Sequence, residues 1–214
     1  DSCKHAVVWS HIDIEQAKAE LLTLVRAQRR NGRIPHRIAW EPMRLYPYRF
    51  YLHSTSYRYP VNSRLVDPPI LAQAIETVYR RSGDRAFIER TVPAADRFHR
   101  WLEANRDPDG DGLLSIIHPY ECGLDHKPSF DIVFGFDRPY ARGAWRAVRT
   151  LDVWNRLLSY NLSRIFRFDQ FNVEETLFNC THAQGLAALG RLWRELGDTA
   201  KAAECESRSR LRES

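Results

Sequence analysis

Apolar residues recur three and four positions apart along several stretches of the chain, a spacing that places them on one face of an α-helix. The first stretch follows Asp13, a favourable N-cap residue with Gln16 placed as its capping-box partner. Gly32 comes after the last apolar position, and glycine is the residue type that most often ends a helix. We therefore predict a helix that begins after Asp13 and is closed by Gly32. Its apolar face consists of Ile14, Ala17, Leu21, Leu24 and Val25.

Two further helices are predicted in the middle of the chain. One opens at Asp67, with Asp67 as its cap and two prolines in its first turn, and it ends at Gly83. The next covers residues 85–105. Because proline lacks an amide donor, Pro93 is expected to bend or split this helix.

The C-terminal part of the chain is also predicted to be helical. A long helix is expected to start at Asn172, with Glu175 three residues on, and to reach Leu196. Its apolar positions cover more of the circumference than a surface helix needs, so it should be buried on more than one side. These positions are Leu177, Cys180, Leu186, Leu189, Trp193 and Leu196. A final helix follows Asp198.

The same helix-to-helix junction occurs twice. Gly83 and Asp84 form one junction, and Gly197 and Asp198 form the other. Glycine adopts the left-handed conformation that ends a helix, and the aspartate accepts free amides of the next one. The apolar run at residues 113–117 is the one candidate strand. We predict an all-α fold of stacked antiparallel helix hairpins, as in solenoids or α/α toroids; no 34-residue tetratricopeptide period is present.

Two long stretches lack a helical pattern: residues 33–66 and residues 106 to about 150. Loops of that length in a compact domain are usually functional or disordered. Both are rich in Tyr, Trp, His and Phe, which argues against disorder. Aromatic rings beside polar groups suit a sugar, because the C–H faces of a pyranose pack on rings. The sequence therefore predicts a sugar site built from long aromatic-rich loops on a helical scaffold.

Composition and charge narrow the class of partner. The chain has 214 residues, 43% of them hydrophobic, which is enough to build a core. No apolar run approaches the roughly eighteen residues of a membrane helix, and no charged-then-apolar leader with a small-residue cleavage site is seen, so neither a membrane span nor a signal peptide is predicted. The net charge is +5, but the basic residues are scattered among acidic ones. Because a phosphate-binding surface clusters its charge, no nucleic-acid partner is expected.

The cysteines predict neither a disulfide framework nor a metal site. They are Cys3, Cys122, Cys180 and Cys205, and they show no CxxC or Cys/His spacing. We interpret them as buried free thiols in a reducing compartment, and so expect a cytoplasmic location. No metal and no cofactor are expected.

Residues 106–114 resemble the first half of a calcium loop. Asp107, Asp109, Asp111 and Gly112 fit its opening positions, but His118 stands where the twelfth residue should be Glu. The sequence therefore favours a tight turn in which the aspartates bond local amides.

The segment that follows, residues 118–131, carries the candidate chemistry. It holds the carboxylates of Glu121, Asp125 and Asp131 together with two imidazoles and two aromatic rings. Glycoside cleavage needs one carboxylic acid to protonate the leaving oxygen and a second carboxylate to activate water or to attack. Neighbouring aromatic rings can raise the pKa of the acid by excluding water. A solvated acidic loop is the alternative, and composition alone favours it.

A family resemblance favours the catalytic interpretation. Residues 106–131 resemble the motif RDPDGDGL…HPWESGxDNSPRWD of glycoside hydrolase family 63 and of the related mannosylglycerate and glucosylglycerate hydrolases. Three other stretches resemble the same group in the same order: residues 1–6 the end of WDSxFxA, residues 32–36 GxIPH, and residues 68–72 TQPPxxA. The resemblance covers residues 1 to about 131, with a further fit to residue 196.

The resemblance implies a fold and a set of roles. Members are inverting enzymes with an (α/α)6 barrel, and the motif's general acid falls on Asp125. Asp1, Tyr120 and Glu121 would line the sugar pocket. Asp67 stands where the family has a sugar-binding Gln, and an ionised carboxylate cannot donate a hydrogen bond as Gln does.

The motif loop also departs from the family pattern. Tyr120 replaces Trp, which leaves a ring able to stack on a sugar, and Cys122 replaces Ser. Residues 126–127 are His-Lys instead of Asn-Ser, and residues 129–130 are Ser-Phe instead of Arg-Trp. The substrate is therefore less constrained by the sequence than the fold.

The chain is expected to be one incomplete domain over residues 1–214. It predicts five or six helices, whereas a closed (α/α)6 barrel needs twelve, so a partial toroid is expected. The catalytic base is expected outside this chain, in a missing C-terminal half that would be a partner, and the isolated chain is expected to be inactive or very weak. The predicted substrate carries a terminal α-linked glucosyl or mannosyl unit.

Two other interpretations stay open. One is a carbohydrate-binding half-toroid that keeps sugar contacts without turnover. The other is a helical scaffold whose aromatic loops bind protein.

Overall fold

The structure is a computed structural model, and it describes residues 1–39, 53–54, 61–125, 127–137 and 143–210. It is mainly helical and divides into two compact units. The first unit comprises residues 1–34, 68–113 and 176–214, and the second comprises residues 35–67 and 114–175. Among the described helices, none has the length and apolar character to cross a membrane.

The described elements follow one another in this order. The helices are α1 (Ser2–Trp9), α2 (Ile14–Arg26), α3 (Leu71–Ser82), α4 (Arg85–Arg106), α5 (Pro128–Val133), α6 (Ala144–Leu157), α7 (Leu162–Phe168), α8 (Thr176–Leu196) and α9 (Thr199–Arg210). The strands are β1 (Ile38–Ala39), β2 (Val61–Asn62), β3 (Ser115–Ile116) and β4 (Val173–Glu174), and a 3₁₀ turn covers Pro119–Glu121.

Helix α2 of the first unit begins where the sequence predicted but ends earlier than predicted. The Asp13 side chain accepts the amides of Glu15 and Gln16, as an N-cap should. Helix α2 nevertheless ends at Arg26, so Gly32 does not close it. Gly32 has φ +97°, and a Cβ there would lie 2.6 Å from the Arg97 carbonyl oxygen. A close backbone approach therefore requires this glycine. Helix α1 was not predicted.

Both predicted helix junctions are present. Gly83 has φ +63° and ends α3, and Asp84 accepts the amide of Phe87 at the start of α4. Gly197 has φ +87°, and the carboxylate of Asp198 accepts the amide of Lys201. These local interactions explain why the two junctions could be recognised from sequence.

The helices on either side of the first junction differ from the sequence prediction in two respects. Helix α3 begins at Leu71, and its N-cap Ile70 has no capping side chain, so Asp67 is not the cap. Helix α4 is not split, because it continues through Pro93, whose neighbours Val92 and Ala94 are buried. Packing of these side chains offsets the lost hydrogen bond.

The long helix α8 begins later than predicted because the preceding residues pair as a strand. Val173 and Glu174 form β4 against β3 in an antiparallel register. Predicted apolar positions Leu177 and Cys180 are exposed, yet the helix is buried on more than one side, as expected. Its buried residues are Phe178, Thr181, His182, Ala183, Gly185, Leu186, Ala188, Leu189, Gly190, Leu192 and Trp193.

The second unit contains structure that the sequence pattern did not predict. Helices α5 and α6 lie in or extend from the stretch at residues 106–150 that was expected to be irregular. Strands β1 and β2 pair antiparallel, with Ile38 opposite Asn62. Much of the other long stretch, at residues 40–52 and 55–60, lies outside the described residues. A buried core cluster in this unit consists of Leu65, Ile117, Tyr160 and Ile165.

The junction between α6 and α7 holds strained backbone. Ser159 and Tyr160 have φ of +56° and +53°, a conformation that costs non-glycine residues about 1 kcal/mol or more each. The strain is retained because Tyr160 is buried in the core cluster. Ser159 is exposed, so its side chain contributes little to packing.

Replacing Ser159 with glycine is therefore expected to stabilise the protein by roughly 0.5–1 kcal/mol, because glycine relieves the positive φ. The measurement is the free energy of unfolding in urea. Ser163→Gly is the matched control, since Ser163 is an exposed residue inside α7 and glycine there should destabilise. Equal effects of the two substitutions would contradict the strain argument.

Candidate active site

The segment at residues 118–131, which we call the motif loop, begins with a capped 3₁₀ turn. His118 is the N-cap of the turn, and its Nδ1 accepts the amide of Tyr120 at 3.1 Å. The turn ends at Cys122, and Gly123 follows with φ +74°. The loop is described except at residue 126, and the start of α5 forms its C-terminal part.

Glu121 anchors the motif loop from inside the second unit. Its carboxylate has no exposed surface, and its two oxygens accept the amides of Val66 at 3.0 Å and Ile117 at 2.9 Å. The sequence predicted that Glu121 lines the sugar pocket. In this structure the side chain holds the loop against residues 65–67, because a buried carboxylate needs such donors.

Asp152 on α6 forms a second buried anchor. Its Oδ1 lies 2.6 Å from His53 Nε2 and 2.8 Å from His118 Nε2, and all three side chains are buried. The contact with His53 is a hydrogen bond, whereas the N–H of His118 is not aligned with the oxygen. Burial acts to raise the pKa of Asp152, but the two imidazoles outweigh it and hold that pKa well below its usual range.

The same three residues could also be considered as metal ligands, since their nitrogen and oxygen atoms lie within 4.8 Å of one another. A metal at His118 Nε2 would require the proton on Nδ1. That nitrogen already accepts the amide of Tyr120, so Nε2 carries the proton instead. The proton on Nε2 therefore argues against a metal bound at that nitrogen.

Cys122 and Lys127 keep the loop ordered where it departs from the family motif. The Cys122 thiol donates to the Pro119 carbonyl and accepts the amide of Leu124, both at 3.2 Å. Burial raises the pKa of Cys122 to about 11, so it stays a thiol able to donate as a serine hydroxyl would. Lys127 Nζ lies 2.5 Å from the buried carboxylate of Glu175, which ties the loop to the end of β4.

Asp125, the predicted general acid, lies at the tip of this anchored loop. Its side chain is exposed and makes no hydrogen bond or ion pair with any residue that the structure describes. Tyr120 is partly buried, with its ring centroid 4.5 Å from that of His118 and 5.7 Å from that of His53. The structure thus fixes the loop on both sides of Asp125 and leaves the carboxyl group accessible.

The remaining predicted pocket residues lie in different parts of the chain. Asp67 follows Val66 and is therefore brought to the motif loop by Glu121. Its Oδ1 lies 3.3 Å from His36 Nε2. Burial, with a smaller effect of Arg37, lowers the pKa of His36 to about 3, so His36 is neutral and meets Asp67 without a charge. Asp1 is exposed and belongs to the first unit.

The aspartate-rich turn at residues 107–113 has the local bonding that the sequence favoured. Asp107 accepts the amides of Gly110 and Gly112, and Asp111 accepts that of Leu113. These bonds occupy the carboxylates as a tight turn requires.

The cysteine prediction is confirmed in part. All four cysteines are free, as expected from their spacing. Only Cys122 and Cys205 are buried, whereas Cys180 is exposed and Cys3 is partly exposed. The interpretation of all four as buried thiols was therefore wrong for these two.

Sequence reasoning missed His53 and Asp152. His53 lies far before His118 in the chain, and no motif marks Asp152 within α6. The one usable signal was His118 itself, because a histidine that caps a turn with Nδ1 directs an Nε2 proton towards an acceptor. Finding that acceptor needs the tertiary structure.

Helix hairpins, together with a loop of carboxylates and aromatic rings, are typical of the helical glycoside hydrolases. A family model described as the mannosylglycerate hydrolase MGH1-like glycoside hydrolase domain matches residues 1–213. The chain belongs to this family. The resemblance inferred from the motifs is confirmed.

Individual relatives agree with the family. The chain is 33% identical over 137 residues to a mannosylglycerate hydrolase from Thermus thermophilus, covering 61% of this chain and 33% of that protein. It is 28% identical over 239 residues to a mannosylglycerate hydrolase from Rubrobacter radiotolerans, covering 97% of this chain and 54% of that protein. The chain thus spans about half the length, or less, of these relatives.

Solved structures confirm the fold class. A GH63 mannosylglycerate hydrolase from Thermus thermophilus, in complex with Tris and D-glycerate, matches with a TM-score of 0.81 and 28% identity. The match covers 98% of this chain and 56% of that one. The complex of this hydrolase with glucose matches with a TM-score of 0.79. The predicted all-α fold is therefore confirmed, and the partial coverage agrees with an incomplete toroid.

Substitution of Glu121 by glutamine is expected to lower the free energy of unfolding by roughly 1–3 kcal/mol, because an amide group would face a buried backbone amide. Urea unfolding provides the measurement. Glu89→Gln is the control, since Glu89 is exposed and its ion pair with Arg85 lies on the surface, where such pairs contribute little. A Glu121→Gln protein as stable as the control would show that the carboxylate is not an anchor.

The stability of the protein is expected to fall as the pH drops from about 6.5 towards 3. His36 takes up its proton near pH 6.5 when unfolded but only near 3 when folded, so protonation favours the unfolded state. Thermal melts between pH 7 and pH 5 measure the effect. His36→Gln should have a smaller fall in Tm than the wild type, and His11→Gln, at an exposed site, should match the wild type. Identical falls in all three proteins would refute the assignment.

Proposed function

We propose that this chain supplies the acid-bearing part of an inverting glycoside hydrolase, with Asp125 as the general acid. The main support for the proposal is that most polar side chains of the motif loop are held by contacts, whereas the carboxyl group of Asp125 is exposed. Four side chains of the loop hold it in place, and Asp125 at its tip is the one exposed carboxylate among the loop's described residues. The four are His118, Glu121, Cys122 and Lys127.

In the proposed mechanism Asp125 donates its proton to the departing glycosidic oxygen. A second carboxylate, roughly 6.5–9.5 Å away, removes a proton from the attacking water on the opposite face of the sugar. We place that base outside these 214 residues. The ring of Tyr120 packs against the sugar, and Asp67 binds its hydroxyl groups. Glu121, which the sequence predicted as a pocket residue, holds the loop through the amides of Val66 and Ile117 in this proposal.

The proposed substrate is a small glycoside with a terminal α-linked mannosyl or glucosyl unit. Relatives are named mannosylglycerate hydrolase and glucosylglycerate hydrolase, and one relative was solved with D-glycerate. The anionic aglycone glycerate is compatible with the net charge of +5. Because all four cysteines are free, we also propose a reducing compartment, such as the cytoplasm.

A second candidate function is carbohydrate binding without turnover. A general acid needs surroundings that keep its proton at neutral pH, and the Asp125 carboxyl is exposed here. The chain also spans about half the length of the relatives that it matches along nearly its whole extent. If nothing encloses Asp125, the loop would bind sugar and leave the glycosidic bond intact.

Asp125→Asn is expected to reduce the release of sugar from mannosylglycerate or glucosylglycerate by about 100-fold or more, because the amide cannot protonate the leaving oxygen. Full-length gene product is assayed for free mannose or glucose, and proton NMR records the anomer released first, which should be inverted. Asp109→Asn is the control, since Asp109 is an exposed aspartate on a turn outside the motif loop.

The other outcomes separate the candidates. Equal rates for wild type and Asp125→Asn would refute the assignment of Asp125. No release by either protein, together with a rise in Tm on adding mannosylglycerate, would support the carbohydrate-binding function. Neither release nor a rise in Tm would contradict both.

A further inference from the structure

The buried cluster of His53, His118 and Asp152 is not accounted for by the proposed chemistry. These residues are 3%, 0% and 5% exposed, so no ligand in solution reaches them directly. Burying a carboxylate together with two imidazoles carries a large desolvation cost. The cluster must therefore support some part of the unit that contains it.

His118 connects Asp152 to the motif loop. Its Nε2 faces Asp152, and its Nδ1 accepts the amide of Tyr120, so one imidazole joins helix α6 to the 3₁₀ turn. The two nitrogens have opposite roles, and Asp152 favours the form with the proton on Nε2. That form leaves Nδ1 free to cap the turn.

Helix α6 makes a second contact with the same segment. The Asn155 amide donates to the Ile117 carbonyl at 3.1 Å, one residue before His118. The ring of Tyr120 also packs edge-on against His53, the other partner of Asp152. Helix α6 therefore holds the backbone before the motif loop directly, and the ring of Tyr120 packs on His53, which is bound to Asp152 of that helix.

From this geometry we infer that Asp152 is a positioning residue for the motif loop, acting through His118 on Tyr120 and thereby on the placement of Asp125. This inference rests on the proposed function for its catalytic consequence, but its structural part does not. Asp152 does not touch the substrate. Loss of its charge leaves His118 without the partner that orients it, and a small displacement of a catalytic loop costs about 10- to 100-fold in rate.

The test is a double-mutant cycle between positions 152 and 118. In His118→Asn the new side-chain oxygen can still cap the turn, without an imidazole that faces Asp152. Asp152→Asn should lower kcat about tenfold or more when His118 is present, with a smaller change in KM. The reason is that a displaced acid reduces stabilisation of the transition state more than it reduces the affinity for substrate. In His118→Asn the same substitution should have no further effect. An equal loss of kcat in both backgrounds would overturn the inference.

Hydrogen exchange at the Tyr120 amide tests the coupling without any substrate. Asp152→Asn should speed this exchange when His118 is present and leave it unchanged in His118→Asn. Faster exchange in both backgrounds would show that Asp152 acts by another route. This result stands whether or not sugar release is observed, so failure of the proposed function and failure of this inference are distinguishable.

Two further variants complete the design. Asp169→Asn is the matched control, because Asp169 is exposed on the same unit and asparagine tolerates its φ of +48°. It should leave kcat and Tyr120 exchange unchanged. If Asp152→Asn does not fold, the cycle is run with His53→Gln, which removes one partner of the carboxylate and keeps its charge. Additive effects of His53→Gln and His118→Asn would then overturn the inference.

Discussion

Two buried carboxylates, those of Glu121 and Asp152, hold the structure around the motif loop. Burying an ionised carboxylate costs several kcal/mol unless donors surround it. Glu121 accepts two backbone amides, and Asp152 is hydrogen-bonded to His53 and lies 2.8 Å from His118 Nε2. These contacts bring together segments that lie far apart in the sequence, at residues 53, 66 and 117–121. Together these contacts hold the start of the motif loop in place.

Within the motif loop, the residues that anchor the backbone are different from the residue proposed to act on the substrate. Buried groups hold its first half, the ion pair of Lys127 with Glu175 holds the part that follows, and Asp125 lies between them. A general acid must be placed accurately, yet its carboxyl must remain free to reach a ligand. An exposed carboxylate on an anchored loop meets both requirements. In the described part of the chain, no apolar surface encloses the carboxyl group of Asp125. Such an enclosure is needed for catalysis but not for sugar binding, because it keeps a general acid protonated at neutral pH.

Local signals in the sequence predicted much of the fold, and long-range pairing explains the errors. The cap at Asp13 and the junctions at Gly83 and Gly197 involve side chains and backbone only a few residues apart. Helix α8, in contrast, starts late because β4 pairs with β3, with Val173 opposite Ile116. No local pattern encodes a contact between residues so far apart in the chain.

In the candidate site, too, the sequence motif indicates which residues belong to the site, but only the folded structure shows which of them are buried. The family motif was enough to propose Asp125, Tyr120 and Glu121 as site residues, because it consists of residues of one continuous loop. It could not tell that Glu121 points inward, since Glu121 and Asp125 look equally polar in sequence. The difference depends on amides at Val66 and Ile117 that are free to donate only in the folded unit. In a loop of this kind, the carboxylate with the most donors supports the structure, and the one with fewest is available for chemistry.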